Sequence, residues 1–166
     1  MLVDPRGDRF DAWYDGMLKE HQAQERIAFS VRLVADGRLV GSTSYLDVHE
    51  KHKRIEIGST WYTPDQWQTA TNPECKLLLL RHAFEVYGMN RVSLVTDLRN
   101  ERSQAAIAKL GAQREGILRS HMITRGGRIR DSVVFSILSS QWPSVKARME
   151  ARLAHQLATM IHKSED

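Results

Sequence analysis

Gln66-Trp67-Gln68-Thr69-Ala70-Thr71-Asn72-Pro73-Glu74-Cys75-Lys76, continuing as Leu77-Leu78-Leu79-Leu80 and then Ala83-Phe84, is the stretch on which the fold turns. Its first part is small and polar, and its second part is a helix. Asn72 reads as the N-cap, Pro73 sits at the first helical position where no N–H is needed, and Glu74 complements the helix dipole. Leu77, Leu80 and Phe84 recur at i, i+3 and i+7 as one apolar face, and Gly88 closes the helix at C′. Immediately upstream, Ile55-Glu56-Ile57-Gly58-Ser59-Thr60-Trp61-Tyr62 reads as a strand. Strand, small polar loop and helix N-terminus together present backbone N–H groups and a positive dipole end, a general means of holding a phosphate.

The remaining bounds agree with such a unit. A chain of 166 residues suits one domain (1–166) with a real core. No apolar run reaches membrane-spanning length, and the start, Met1-Leu2-Val3-Asp4-Pro5-Arg6-Gly7-Asp8, is too polar for a signal peptide, so a cytoplasmic location is expected. The single cysteine, Cys75, excludes an internal disulfide and a cysteine-based zinc site, and no metal is expected. A net charge of +4 suits a small anionic ligand and is too scattered to imply nucleic acid.

Outward from the central helix, Asp8 to about Gln22 is an amphipathic helix with Asp8 as cap and Phe10, Trp13, Tyr14, Met17 and Leu18 on one face. Ile27–Ala35 and Leu39–Val48 are strands about an Asp36-Gly37 turn. Arg91–Thr96 is a strand by its β-branched content. Asn100–Leu110 is a helix capped by Asn100 and ended by Gly111. Ala112–Thr124 and Ser132–Leu138 form a hairpin around Arg125-Gly126-Gly127-Arg128. Ser140–His162 is a long terminal helix with Val145, Met149, Leu153, Leu157 and Ile161 as one stripe. Antiparallel hairpins therefore flank a single strand–helix–strand crossover, which makes a mixed α/β sheet.

This order and its local words resemble the GNAT superfamily of acyl-CoA N-acyltransferases, in its Rim-type branch, whose name-giving members acetylate the N-termini of ribosomal proteins. The resemblance rests on Ile55-Glu56-Ile57-Gly58, on Glu74, Lys76 and Leu77–Leu80, and on His82-Ala83-Phe84-Glu85. Downstream it rests on Asn100-Glu101-Arg102-Ser103 with Leu110-Gly111-Ala112, on Arg114-Glu115-Gly116-Ile117-Leu118-Arg119, on Arg128–Ile137, and on Gln141-Trp142. It covers roughly 27–142, and it implies a mostly antiparallel central sheet flanked by helices. It also shows two departures. The family's phosphate loop carries glycines where this chain has Ala70 and Asn72. Family members also usually open with an extra strand and helix before the region matching Arg9 to Leu18, and this chain is expected to lack that first strand. A sheet edge left open in this way, with the long apolar stripe of the last helix, points to a homodimer.

Acetyl transfer from a thioester to an amine needs an anion cradle, a base for the ammonium, and a proton donor for the departing thiolate. The resemblance implies acetyl-CoA as co-substrate and an amine acceptor. The cradle is Gln68, Thr69, Ala70, Thr71 and Asn72, with Lys76 as a further charge. Backbone groups of Trp61, Tyr62 and Thr63 would hold the cofactor arm. Glu56 shares a strand face with Arg54 and Gly58 and is the candidate base; the other reading is an ordinary ion pair with Arg54 or a cross-strand cation. Ser103 would serve the thiolate while Asn100 reaches the cofactor arm; a serine satisfying its own helix backbone is the alternative. Asp97 is expected to bind backbone N–H groups of the next turn. His49, His52 and His82 read as surface or structural residues. His121, with Arg119 and Arg130, is the candidate acceptor side. A catalytically idle acyl-CoA-binding or interaction module of the same fold is the competing class.

Overall fold

In the computed structural model, residues 8–23, 25–124 and 126–163 are described. Alternation becomes the hairpin β1 (Arg26–Arg32) and β2 (Leu39–His49), whose turn closes through the Leu33 N–H donating to Arg38 O at 3.0 Å. Gly37 there takes φ +70°, a conformation that a Cβ disfavours. Strand β3 (Arg54–Tyr62) returns antiparallel to β2. Helix α2 (Thr71–Arg81), prolonged by one π-helical turn at His82–Val86, carries the chain over to β4 (Arg91–Asp97), parallel to β3. Helix α3 (Glu101–Leu110), strands β5 (Gln113–Ile123) and β6 (Ile129–Leu138), and α4 (Trp142–Lys163) complete the order that α1 (Asp8–Gln22) begins. The sheet reads β1-β2-β3-β4-β6-β5, and β3–β4 is its single parallel pairing. This is the mixed, mostly antiparallel α/β sheet expected from the sequence.

The two faces of β3 divide the molecule. Ile55 and Ile57 face a core shared with Tyr45, Leu77, Leu80, Phe84, Val92, Leu94, Ile107, Phe135 and Val145, so α2, α3 and α4 contribute to that side. The Tyr45 hydroxyl, fully buried, donates to Leu79 O at 2.6 Å and ties β2 to α2. On the opposite face, α1 lies over β2 and β3: the Ser42 hydroxyl points at the Met17 sulfur (3.9 Å), and Trp13 meets Trp61 edge-on at 6.1 Å.

Three expectations change. Helix α2 starts at Thr71 with Ala70 as N-cap, so Asn72 is the second helical residue and not the cap. The reason is backbone: Ala70 already has φ −70° and ψ −15°, and its carbonyl accepts from the Glu74 N–H at 2.9 Å. Pro73 still falls in the first turn, where a missing N–H costs nothing. Helix α4 starts at Trp142, because Ser139–Gln141 form a turn. Of its stripe, Val145, Met149 and Leu153 are buried in this chain's own core. The side chains of Asp8, Phe10, Leu157 and Ile161, and Arg125 altogether, lie outside the described residues. Tyr14, placed on the apolar face of α1, is 42% exposed. Among the described residues no strand lies beyond β1.

Candidate active site

β3 and β4 pair only at Arg54–Arg91, Ile55–Val92 and Glu56–Ser93. From Ile57 onward β3 stays with β2 while β4 stays with β6, so the sheet opens into a cleft whose vertex is Glu56. A bulge drives the opening. Ser59 takes φ +47°, and the β2–β3 register slips between Ser42 and Ser44, which bends β3 away from β4. Backbone groups of β3 that point away from β2 between Ile57 and Trp61 therefore border the cleft. Farther along, the Thr63 N–H already donates to Val40 O (2.8 Å), and Tyr62 O accepts from the Trp67 indole (3.0 Å). The open backbone thus lies slightly earlier than the Trp61–Thr63 segment read from the sequence.

Glu56 is half-buried, and among the described residues no hydrogen bond or ion pair holds its carboxylate. Arg54, the partner that an ordinary ion pair would use, is bound to Asp47. Burial, reinforced by the Asp47 charge and opposed by Arg130, pushes the Glu56 carboxyl up to about 7. The absent side chain of Gly58 makes room for it: a Cβ there would meet Leu46 Cδ1 at 2.7 Å and Glu56 Oε1 at 3.1 Å. A carboxyl that exchanges its proton near neutrality, at the vertex of a cleft, has the properties of a general base.

Beyond β3 the loop is braced from inside. Thr69 Oγ1 donates to Gln66 O (2.9 Å), and Thr71 Oγ1 donates to Gln66 Oε1 (2.7 Å). The Thr71 N–H in turn donates to Thr69 Oγ1 at 3.2 Å. Both threonine hydroxyls thus shape the loop, and Gln68 bends it at φ +63°. The N–H groups of Ala70 and Asn72, at the start of α2, have no acceptor among the described residues. An anionic group fits there: donors and a positive dipole end, with small residues in front. Lys76 is 6% exposed, faces β3 from beneath α2, and donates to Thr60 Oγ1 at 2.7 Å.

The far wall of the cleft is α3. Asn100 Oδ1 caps it by accepting from the Ser103 N–H at 3.0 Å, as the spacing predicts. The Ser103 hydroxyl has no hydrogen bond among the described residues, so it is not committed to its own backbone. Arg102 in the same turn lies over the Trp67 ring at 4.5 Å and joins α3 to the phosphate loop. Asp97 accepts from the Arg99 N–H at 2.9 Å, as expected, and also binds Arg128. Arg130 faces Glu56 and Asp97, and its buried Nε has no partner among the described residues. Arg119 and His121 sit on an exposed bulge of β5, next to the Met122–Arg130 pairing with β6, where the Ser120 N–H donates to Asp131 Oδ1 at 2.7 Å. Among the described residues no group of three or more metal-ligating side chains forms.

Sequence reasoning missed the Ser59 bulge, the Thr43–Thr60 hydroxyl pair at 2.8 Å beside it, and the Arg102–Trp67 contact. The first had a faint signal, the small run Gly58-Ser59-Thr60 inside an apolar strand. The last had none.

Comparison with known proteins gives this geometry a family. Residues 4–113 match the family model described as the acetyltransferase (GNAT) domain. A candidate acetyltransferase of known crystal structure from T. thermophilus is 42% identical, covers 91% of this chain and 77% of its own, and superposes with a TM-score of 0.82. Two Bacillus subtilis (strain 168) proteins are each 28% identical. "Uncharacterized N-acetyltransferase YoaA" aligns over 71% of this chain, and "Putative ribosomal N-acetyltransferase YdaF" over 69%, the second in line with the Rim-type resemblance. The chain spans 66% and 61% of the length of these two relatives. With the family model covering well over half its length and the fold superposing closely, this chain belongs to the GNAT acetyltransferase domain family.

Proposed function

We propose that the chain moves an acetyl group from acetyl-CoA to a primary amine by direct transfer, both substrates being bound together. The observation that carries this reading is the vertex itself: the sheet opens directly after Glu56, whose carboxyl is poised near 7. Acetyl-CoA supplies an acyl carbon activated as a thioester. The N–H groups at Ala70 and Asn72 would hold its phosphates, and open backbone groups of β3 would hold its arm and carbonyl oxygen. Glu56, directly or through one water, takes the proton that the amine sheds as the N–C bond forms. The C–S bond breaks, and the sulfur leaves as thiolate or takes the Ser103 hydroxyl proton, which solvent replaces. No covalent enzyme intermediate is required. The acceptor is a protein N-terminus or the amine of a small molecule, and Arg130 beside the vertex favours one that also carries a carboxylate. We place the protein in the cytoplasm as a single domain, with no nucleic acid or membrane among its partners; no helix among the described residues is long and apolar enough to cross a membrane.

A panel of amines with detection of released thiol tests the reading. Turnover should rise as pH increases through about 7, because base and amine must both be unprotonated, and Glu56→Gln should lose on the order of 10²-fold or more in kcat. Acetyl-CoA binding without turnover on any amine would favour the idle module instead. The outer edge of β1, which no strand among the described residues covers, supports a homodimer, and light scattering that finds only the 19.0 kDa species at micromolar concentration would contradict it.

A further inference from the structure

We infer that Lys76 is an electrostatic positioning residue: its buried ammonium, held against the β3 bulge through Thr60, polarises the carbonyl of the acyl group in the cleft. The inference rests on the acetyl-transfer reading above, and it starts from a charge that structure alone does not account for. Lys76 is 6% exposed, yet among the described residues no carboxylate pairs with it. An ammonium in that position is costly unless something anionic, or becoming anionic, is near it.

The polar surroundings of Lys76 give the direction. Its Nζ donates to Thr60 Oγ1 at 2.7 Å, so the Thr60 hydroxyl proton goes elsewhere, to Thr43 Oγ1 (2.8 Å) or to Gly58 O (3.3 Å). This short chain lies directly behind Ser59, where φ +47° and the register slip expose backbone to the cleft. Helical side chains lean toward the N-terminus, so Lys76 also leans away from the core leucines and toward the open end of β3. The register puts Thr60 and Lys76 on the α2 face of β3, and Glu56, Gly58 and Trp61 on the α1 face. Base and cation therefore stand on opposite sides of one strand. As the amine nitrogen bonds to the acyl carbon, negative charge moves onto the carbonyl oxygen, and a cation fixed in a water-poor site stabilises it strongly. The amine proton goes to Glu56, and the Lys76 ammonium keeps all of its own. Burial holds the Lys76 pKa down to about 8, opposed by the neighbouring Cys75. Among the described residues Cys75 is the titratable group whose charge acts on the ammonium, Tyr62 acts in turn on Cys75, and burial pushes both Cys75 and Tyr62 up.

Infrared difference spectra of acetyl-CoA labelled at the carbonyl, bound without any amine, read the polarisation directly, and calorimetry reads affinity on the same samples. The thioester carbonyl band should shift to lower frequency on binding to the wild type, and the shift should fade as pH rises through about 8. In Lys76→Met the shift should shrink at every pH, kcat should fall by about tenfold or more, and the dissociation constant for acetyl-CoA should stay within about twofold. Thr60→Val, which removes the bridging hydroxyl and leaves the cation, should give an intermediate shift; it serves as the test if Lys76→Met does not fold. A weakened affinity with an unchanged band and kcat would assign Lys76 to the phosphates and overturn the inference. Unchanged band, affinity and kcat would make it structural and overturn it equally. A wild type that binds no acetyl-CoA would overturn the acetyl-transfer reading as well.

Discussion

Glu56→Gln should make this protein more stable in alkaline solution while it removes most of its activity. The side chain keeps its shape and loses its charge. In the folded chain the carboxyl sits at about 7 against an ordinary 4.5, mainly because burial disfavours the anion. The folded state therefore holds a proton between those two values that the unfolded state has released, and stability falls as pH rises through that window. Above it the wild type has lost about 3 kcal/mol, at about 1.4 kcal/mol per tenfold in proton affinity, and Gln loses none of this. Urea unfolding of both proteins near pH 5 and near pH 8.5 checks the sign: the stability gap between Gln and Glu should widen by about 2 kcal/mol at the higher pH. A gap that stays constant with pH would mean that the carboxyl titrates like an exposed one. It would then have neither the buried setting nor the proton affinity that the proposed base requires.

Two further substitutions probe the cleft from its ends. Asn72→Asp places a carboxylate in the first turn of α2, where it should leave the helix intact or firmer while weakening acetyl-CoA binding by about tenfold or more in calorimetry. Gly58→Ala brings a methyl to 2.7 Å from the mobile end of Leu46 and 3.1 Å from Glu56 Oε1. Leu46 can move aside, so the stability cost should be about 1 kcal/mol, whereas kcat should drop by about tenfold with cofactor affinity kept.

The fold was legible because its elements carry strong local signals. The Leu77, Leu80 and Phe84 spacing, the β-branched run at Arg91–Thr96, the Asp36-Gly37 turn and the Asn100 cap each name one element, and their order leaves few ways to build a sheet. Glu56 was legible as a candidate because alternation puts it opposite Ile55 and Ile57. What could not be read depends on backbone angles or on contacts made across the sheet. Asn72-Pro73-Glu74 has the composition of a helix start, yet the chain turns helical two residues earlier at an alanine cap that has no side-chain signature. Ser59 looks like any strand serine until its φ is known, and with it the cleft. Lys76 shares a helix face with Leu80 and Ala83, but a lysine is ordinarily taken to be solvated, so its burial had no sign in the residue type.

Amide deuterium exchange of the whole protein, followed by mass spectrometry with and without acetyl-CoA, tests the central claim most directly, because it reads where the cofactor lies without depending on the acceptor. Peptides covering Ile57–Tyr62 and Gln68–Glu74 should gain protection, and those covering Gln113–Ile123 should not. Bound acetyl-CoA that leaves the first two unchanged would put the cofactor outside the cleft that opens after Glu56, and would contradict the account.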